Sequence, residues 1–93
     1  MAEKMLHLAI AGRVQGVGYR AWLSHEARAR VLSGWVRNRR DGTVEAVLSG
    51  DEAAVDAVVE RCRRGPAAAR VSGVETIAWD EILPGGFNAL PTL

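Results

Sequence analysis

The sequence predicts an α+β fold in which two helices cover one face of a four-stranded antiparallel sheet. Three observations indicate it: segments in which apolar and polar residues alternate, segments with a helical stripe of apolar residues, and their order βαββαβ along the chain. With 93 residues the chain has room for one hydrophobic core. We therefore expect residues 1–93 to form a single domain, which is too small for a Rossmann enzyme.

The first elements are a strand, a glycine-containing loop and a helix. Alternation over residues 5–11 predicts a strand that extends to about Val14. Two glycines in residues 15–18 interrupt the alternation, and the good helix formers of residues 21–30 predict a helix. A strand is thus joined to a helix through a loop that can adopt unusual backbone conformations.

The second half begins with a hairpin, because Asp41-Gly42 between two β-rich segments favours a tight type I′ turn. The remaining elements are, in order, a strand at 35–40, a strand at 43–48, a helix at 51–64 that ends at Gly65-Pro66, and a fourth strand at 71–82. The tail beyond it offers little regular structure. This order of elements is that of the ferredoxin-like folds.

Composition and charge exclude several functional classes. The chain is 48% hydrophobic and 25% charged, as in globular proteins, and its apolar stretches are too short to span a membrane. A net charge of +1 disfavours a general nucleic-acid binder. A single cysteine, Cys62, and an N-terminus without a signal-peptide core predict a cytoplasmic location.

The loop between the first strand and helix predicts an anion site. Gly16 and Gly18 allow backbone N–H groups to converge, and the helix start adds unpaired N–H groups. Arg20 in the first helical turn opposes the helix dipole unless an anion binds there, and its guanidinium can hold two phosphate oxygens. The alternative is an ordinary tight turn with Arg20 in solvent.

Asn38 is the second candidate site residue. It lies near the end of the second strand, where a carboxamide can donate and accept hydrogen bonds and so orient a water. The alternative is an Asx contact that begins the hairpin. The arginines that surround the turn, Arg37, Arg39 and Arg40, form either a solvated face or a surface that attracts an anion.

Two segments together closely resemble the signature motifs of the acylphosphatases. They are Gly12-x-Val-Gln-Gly-Val-x-Tyr-Arg20 and Gly34-Trp-Val-Arg-Asn38-x-x-Asp-Gly-x-Val-Glu45. Their spacing and the βαββαβ order agree with that family over roughly residues 5–80. In one respect the sequence departs from it, because Val31 stands where the family has a glycine that ends the first helix. We expect this helix either to end differently or to carry strain of about 1–3 kcal/mol.

The resemblance implies hydrolysis of a small-molecule acyl phosphate to a carboxylate and inorganic phosphate, without metal or cofactor. We expect the protein to be a monomer, although the motifs carry no signal for the oligomeric state. Arg20 and Asn38 would be catalytic, with Asn38 holding the attacking water. The phosphoryl group, or inorganic phosphate or sulfate in its place, would bind to the loop residues Gln15, Gly16, Val17, Gly18, Tyr19 and Arg20. Two rivals are a binding module that lacks turnover and an RNA-binding domain of the same element order.

The other chemically active residues are assigned structural roles. We expect His7 on the open face of the sheet, His25 in solvent and Cys62 in the core, with no metal site and no bound nucleic acid. The aromatic motifs of RNA-binding domains are missing from the first and third strands. Trp22, Trp35 and Trp79 are therefore expected to be packing residues.

Overall fold

The computed structural model describes residues 2–93, which contain the six predicted elements in the predicted order and one further strand. The elements are β1 (Glu3–Arg13), α1 (Tyr19–Ala29), β2 (Ser33–Asn38), β3 (Val44–Asp51), α2 (Glu52–Cys62), β4 (Arg70–Ala78) and β5 (Phe87–Ala89). Neither helix is long and apolar enough to cross a membrane, among the residues described.

The sheet differs from the prediction, because it has five strands and is mixed rather than four-stranded and antiparallel. The strand order is β4-β1-β3-β2-β5, with β5 parallel to β2 and all other pairs antiparallel. The tail becomes a strand because Phe87, 3% exposed, fills the core while Arg28 donates hydrogen bonds to its carbonyl. Three residues are too few to show an alternation, so tertiary packing determines this strand.

The hydrophobic core lies between the helices and one face of the sheet. Leu8 and Ile10 of β1 point into it and are fully buried, as the alternation predicts. The helices contribute the apolar stripes that contain Leu23 and Val58. Gly34 permits β2 to approach β3, because a Cβ there would lie 1.8 Å from the carbonyl oxygen of Val47. A side chain at this position would force the two strands apart.

The opposite face of the sheet is partly covered by the connection between β4 and β5. Since these strands lie at opposite edges, residues 79–86 must cross the sheet. Trp79 packs on His7 with ring centroids 4.6 Å apart, and the indole of Trp35 donates a hydrogen bond to Glu81 at 2.7 Å. Trp35 and Trp79 are therefore packing residues, as predicted, and His7 lies on the predicted face of the sheet, where Trp79 partly covers it.

A charged cluster on this face surrounds Glu45. Its carboxylate is hydrogen-bonded to the imidazole of His7 at 2.7 Å and to the guanidinium groups of Arg37 at 2.7 Å and Arg39 at 3.3 Å. Burial by itself would raise the pKa of this carboxyl, but the hydrogen bonds from His7 and Arg37 outweigh burial and lower the pKa. Arg37 and Arg39 are thus ion-paired residues of the sheet face rather than freely solvated ones.

Helix α1 ends in a Schellman motif with valine at the position where glycine is usual. The N–H of Leu32 donates to the carbonyl of Ala27 at 2.9 Å, and the N–H of Val31 donates to that of Arg28 at 3.1 Å. Val31 has φ 57° and is the only non-glycine residue with positive φ among residues 2–93. Of the two outcomes expected for this helix end, the structure adopts the strained one.

The hairpin between β2 and β3 turns differently from the type I′ prediction. The N–H of Gly42 donates to the carbonyl of Arg39 at 3.1 Å, and the N–H of Arg39 donates to that of Thr43 at 2.8 Å. This is a three-residue loop with a glycine at the bulge position. The Asp41 carboxylate accepts from the backbone N–H of Thr43 at 2.9 Å, which favours negative φ at Asp41 over a type I′ turn.

Candidate active site

The loop between β1 and α1 forms a concave surface of backbone groups. Gly16 has φ 72°, and Gly18, the N-cap of α1, has φ 80° and ψ 17°. Both lie in the left-handed region that favours glycine. A Cβ at either position would meet no atom within 4 Å, so these glycines are required by backbone conformation rather than by crowding. No side chain in residues 2–93 caps α1, and its first N–H groups stay available to an anion.

A surface depression of about 330 Å³ joins this loop to the end of β2. Its lining residues are Val14, Gly16, Gly18, Tyr19, Arg20, Ala21, Asn38 and Ala89. The structure thus brings together Arg20 and Asn38, which are 18 positions apart in the sequence, with three of the predicted loop residues. Gln15 and Val17, also predicted for the site, do not line the depression.

The surroundings of Arg20 suit a residue that binds an anion. It is exposed on α1, whose first turn contains no acidic residue. Within residues 2–93 its guanidinium forms no salt bridge and no side-chain hydrogen bond, whereas Arg37, Arg39 and Arg61 all pair with carboxylates. A bound anion would therefore compensate both this side chain and the positive end of the helix dipole.

Asn38 presents a side-chain oxygen without a hydrogen-bond partner. Its Oδ1 is buried and accepts no hydrogen bond from any residue in the described range 2–93. Buried polar atoms are usually satisfied, so an unpartnered oxygen beside a depression is suited to accept a hydrogen bond from a water or a ligand. The backbone of Asn38 is fixed, since its carbonyl accepts from the N–H of Leu93 at 3.1 Å.

The predicted residue Tyr19 contributes its backbone rather than its side chain. Its ring is 1% exposed, and its hydroxyl donates a hydrogen bond to the carbonyl of Cys62 at 2.6 Å. Cys62 is itself fully buried, and burial raises the pKa of its thiol to about 12. As predicted, this cysteine is a core residue, and a buried thiol with a raised pKa is a poor nucleophile.

Gln15 and Val17 both turn away from the depression. Val17 is partly buried and packs against the core. The Gln15 side-chain amide donates hydrogen bonds to the carbonyls of Arg39 at 2.7 Å and Thr43 at 2.9 Å. Of these two residues, only the backbone N–H groups could donate to an anion bound at the loop.

The apolar wall of the depression was missed by sequence reasoning. Val14 and Ala21 flank the glycine loop and carry no chemical signal of their own. Ala89 lies on β5, opposite Val36 of β2, and reaches the site only because the tail adds a strand. No sequence signal for these three residues was available without the fold.

A second depression of about 330 Å³ lies between the two helices and contains none of the predicted site residues. Its lining residues are Trp22, Glu60, Arg61, Arg64 and Gly65. The guanidinium of Arg61 is already ion-paired with the buried carboxylate of Glu26, which also pairs with Arg30. Among residues 2–93 there is also no group of three or more His, Cys, Asp or Glu side chains placed to hold a metal ion.

Comparison with known proteins finds similarity over nearly the whole chain. The acylphosphatase family model matches residues 6–88. A protein from Rhodopseudomonas palustris named acylphosphatase is 56% identical over an alignment of 99 positions that covers 100% of both chains. One of the same name from Azorhizobium caulinodans is 62% identical over 81 positions, covering 87% of this chain and 86% of its own.

Solved structures agree with the sequence comparison. The structure of an acylphosphatase from Coxiella burnetii superimposes with a TM-score of 0.90 at 31% identity, covering 95% of this chain and 93% of the other. The family model spans the loop, α1 and the hairpin, and it includes every residue that lines the depression except Ala89. The chain therefore belongs to the acylphosphatase family.

Proposed function

We propose that this protein hydrolyses the carboxyl-phosphate bond of small acyl phosphates through the depression between the glycine loop and β2. One observation supports this above all others: an exposed, unpaired Arg20 and the unpartnered oxygen of Asn38 line the same depression. The first group is suited to a dianion and the second to a water. Hydrolysis of a phosphoryl compound requires both.

The phosphoryl group would be bound by the guanidinium of Arg20 and the N–H groups of residues 15–20. An arginine fork can donate two parallel hydrogen bonds to phosphate oxygens, and the N-terminus of α1 favours negative charge. The backbone donors of the loop are fixed by the fold before the substrate arrives. They would therefore stabilise the charge that develops on the phosphoryl oxygens during transfer.

The attacking water would donate a hydrogen bond to Oδ1 of Asn38, with its lone pair directed at phosphorus. The water oxygen forms a bond to phosphorus as the bond between phosphorus and the acyl oxygen breaks, and the proton passes to a phosphoryl oxygen of the substrate. The products are a carboxylate and inorganic phosphate. Since a carboxylate leaves readily, positioning and charge stabilisation are the main contributions that the protein must supply.

The test is turnover of benzoyl phosphate in the presence of EDTA, together with inhibition by inorganic phosphate. We expect Arg20→Ala to abolish both turnover and phosphate inhibition. Asn38→Ala should retain phosphate inhibition and lower kcat by roughly 100- to 1000-fold, as when a positioned polar group is lost from an active site. Arg64→Ala, on α2, and Asn88→Ala, on β5, are the matched controls and should behave like the wild type.

Two results would contradict the proposal. Phosphate binding that depends on Arg20 without turnover above spontaneous hydrolysis would indicate a binding module. Full turnover in Asn38→Ala would remove the water-holding role. We include in the proposal the monomeric state and cytoplasmic location predicted from the sequence, which sedimentation and cell fractionation test.

A further inference from the structure

The side chain of Gln15 connects the two halves of the candidate site. Its amide nitrogen has two N–H donors, and both are used: one reaches the carbonyl of Arg39 at 2.7 Å, the other that of Thr43 at 2.9 Å. These two carbonyls belong to the residue pair that closes the β2–β3 hairpin. Arg39 directly follows Asn38, so the first of these hydrogen bonds lies one residue from the proposed water-holding group.

No other hydrogen bond connects the loop to the hairpin within the part of the chain that is described. The register between β1 and β3 ends at the pair Ile10 and Val44, five residues before Gln15. Beyond that pair, residues 14–18 and 38–43 share only the two bonds from the Gln15 amide. The ladder of the sheet therefore does not by itself fix the loop against the hairpin.

We propose that Gln15 is a positioning residue, which sets the distance between the phosphoryl cradle, formed by Arg20 and the N–H groups of residues 15–20, and the water held by Asn38. Its amide is occupied by backbone carbonyls and is not available to donate to a substrate. The cradle is built from local backbone conformation at Gly16 and Gly18 and does not depend on this amide. Loss of the amide should consequently disturb the relation between the two groups and leave each group intact.

This inference rests on the proposed function, and a kinetic separation tests it. The variant is Gln15→Met, which keeps the length of the side chain and removes both donors. We expect kcat for benzoyl phosphate to fall by roughly 10- to 100-fold, the loss typical of a misplacement near 1 Å. The inhibition constant of inorganic phosphate should stay close to that of the wild type, because phosphate contacts only the cradle.

A double-mutant cycle with Asn38→Ala distinguishes positioning from general support of the fold. If Gln15 acts through the water at Asn38, then Gln15→Met in the Asn38→Ala background should lower kcat further by about twofold or less. If the two substitutions act independently, their separate fold-losses in kcat should multiply in the double variant. Val58→Ala, a core change in α2, is the control for lowered stability and should leave kcat unchanged at a temperature where it is folded.

The possible outcomes are separate for the two proposals. A wild type without turnover contradicts the proposed function itself. An active wild type, together with a folded Gln15→Met that keeps full kcat, overturns the positioning role alone, as does a phosphate inhibition constant that rises in proportion to the loss of kcat. If Gln15→Met does not fold, Gln15→Ala gives the same comparison with less bulk at the site.

Discussion

Replacing Val31 by glycine should stabilise this protein, although it removes an apolar side chain. Val31 occupies the left-handed position of the Schellman motif at φ 57°, where a β-branched residue is strained. Its side chain is 89% exposed, so its removal sacrifices almost no buried area. The hydrogen bonds of the motif involve backbone atoms only and remain in the variant.

The magnitude follows from two opposing contributions. Relief of the backbone strain contributes about 1–3 kcal/mol. The greater freedom of glycine in the unfolded chain opposes this by about 0.4–1 kcal/mol. We expect a net gain near 1 kcal/mol, which for a domain of this size raises Tm by about 4–8 °C.

Thermal and urea unfolding, followed by tryptophan fluorescence and circular dichroism, measure this gain. Val31→Ala keeps a Cβ at positive φ and should gain less than Val31→Gly. Ala29→Gly, at an exposed position of ordinary helical conformation, should lose about 0.5–1 kcal/mol. If Val31→Gly is no more stable than the wild type, while Ala29→Gly behaves as expected, the strain assigned to Val31 does not exist.

Three further predictions concern the charged cluster, the buried thiol and the cradle. Because folding lowers the pKa of Glu45, its carboxylate stabilises the protein fully above pH 4.5, the pKa of an unfolded glutamate, and this contribution is lost as the pH falls through the folded pKa. The difference in unfolding free energy between the wild type and Glu45→Gln should therefore narrow below about pH 4.5. Urea unfolding at a series of pH values checks it, and a gap that widens on acidification contradicts it. Cys62, with its thiol pKa raised to about 12, should resist a thiol reagent at pH 8 until the protein unfolds, and rapid labelling of the native protein is the contrary result. Gly18→Ala should cost about 1–2 kcal/mol of stability through its φ of 80° and should weaken phosphate inhibition, which inhibition kinetics beside an unfolding curve can show. Phosphate inhibition equal to that of the wild type would argue against the loop as the cradle.

The parts of the fold that sequence alone predicts are those with a strong local signal. Alternation identifies β1, and the apolar stripe, ended by Gly65-Pro66, identifies α2. Strand β5 has no such signal, because its three residues are ordered by the burial of Phe87 and by pairing with β2. The turn at Asp41 was mispredicted for a related reason, since its carboxylate bonds to Thr43 and competes with the type I′ conformation.

The candidate site likewise contains residues that the sequence predicts and residues that it does not. Arg20 and Asn38 could be proposed from the sequence because a guanidinium and a carboxamide have distinctive chemistry and both lie in recognisable motifs. The direction of the Gln15 side chain could not, since it depends on which carbonyls the hairpin places opposite the loop. Ala89 could not be named either, because an alanine has no chemical signature and its strand was not predicted.

The fifth strand changes the position of Asn38 within the sheet. With four strands in the order β4-β1-β3-β2, β2 would be an edge strand with one row of backbone groups unpaired. The pairing of β5 with β2, continued by the bond from Leu93 to the carbonyl of Asn38, makes β2 an interior strand held from both sides. Strand β5 thus protects the proposed water-holding residue from fraying and from strand addition by another chain, and it leaves β4 as the longer of the two edge strands.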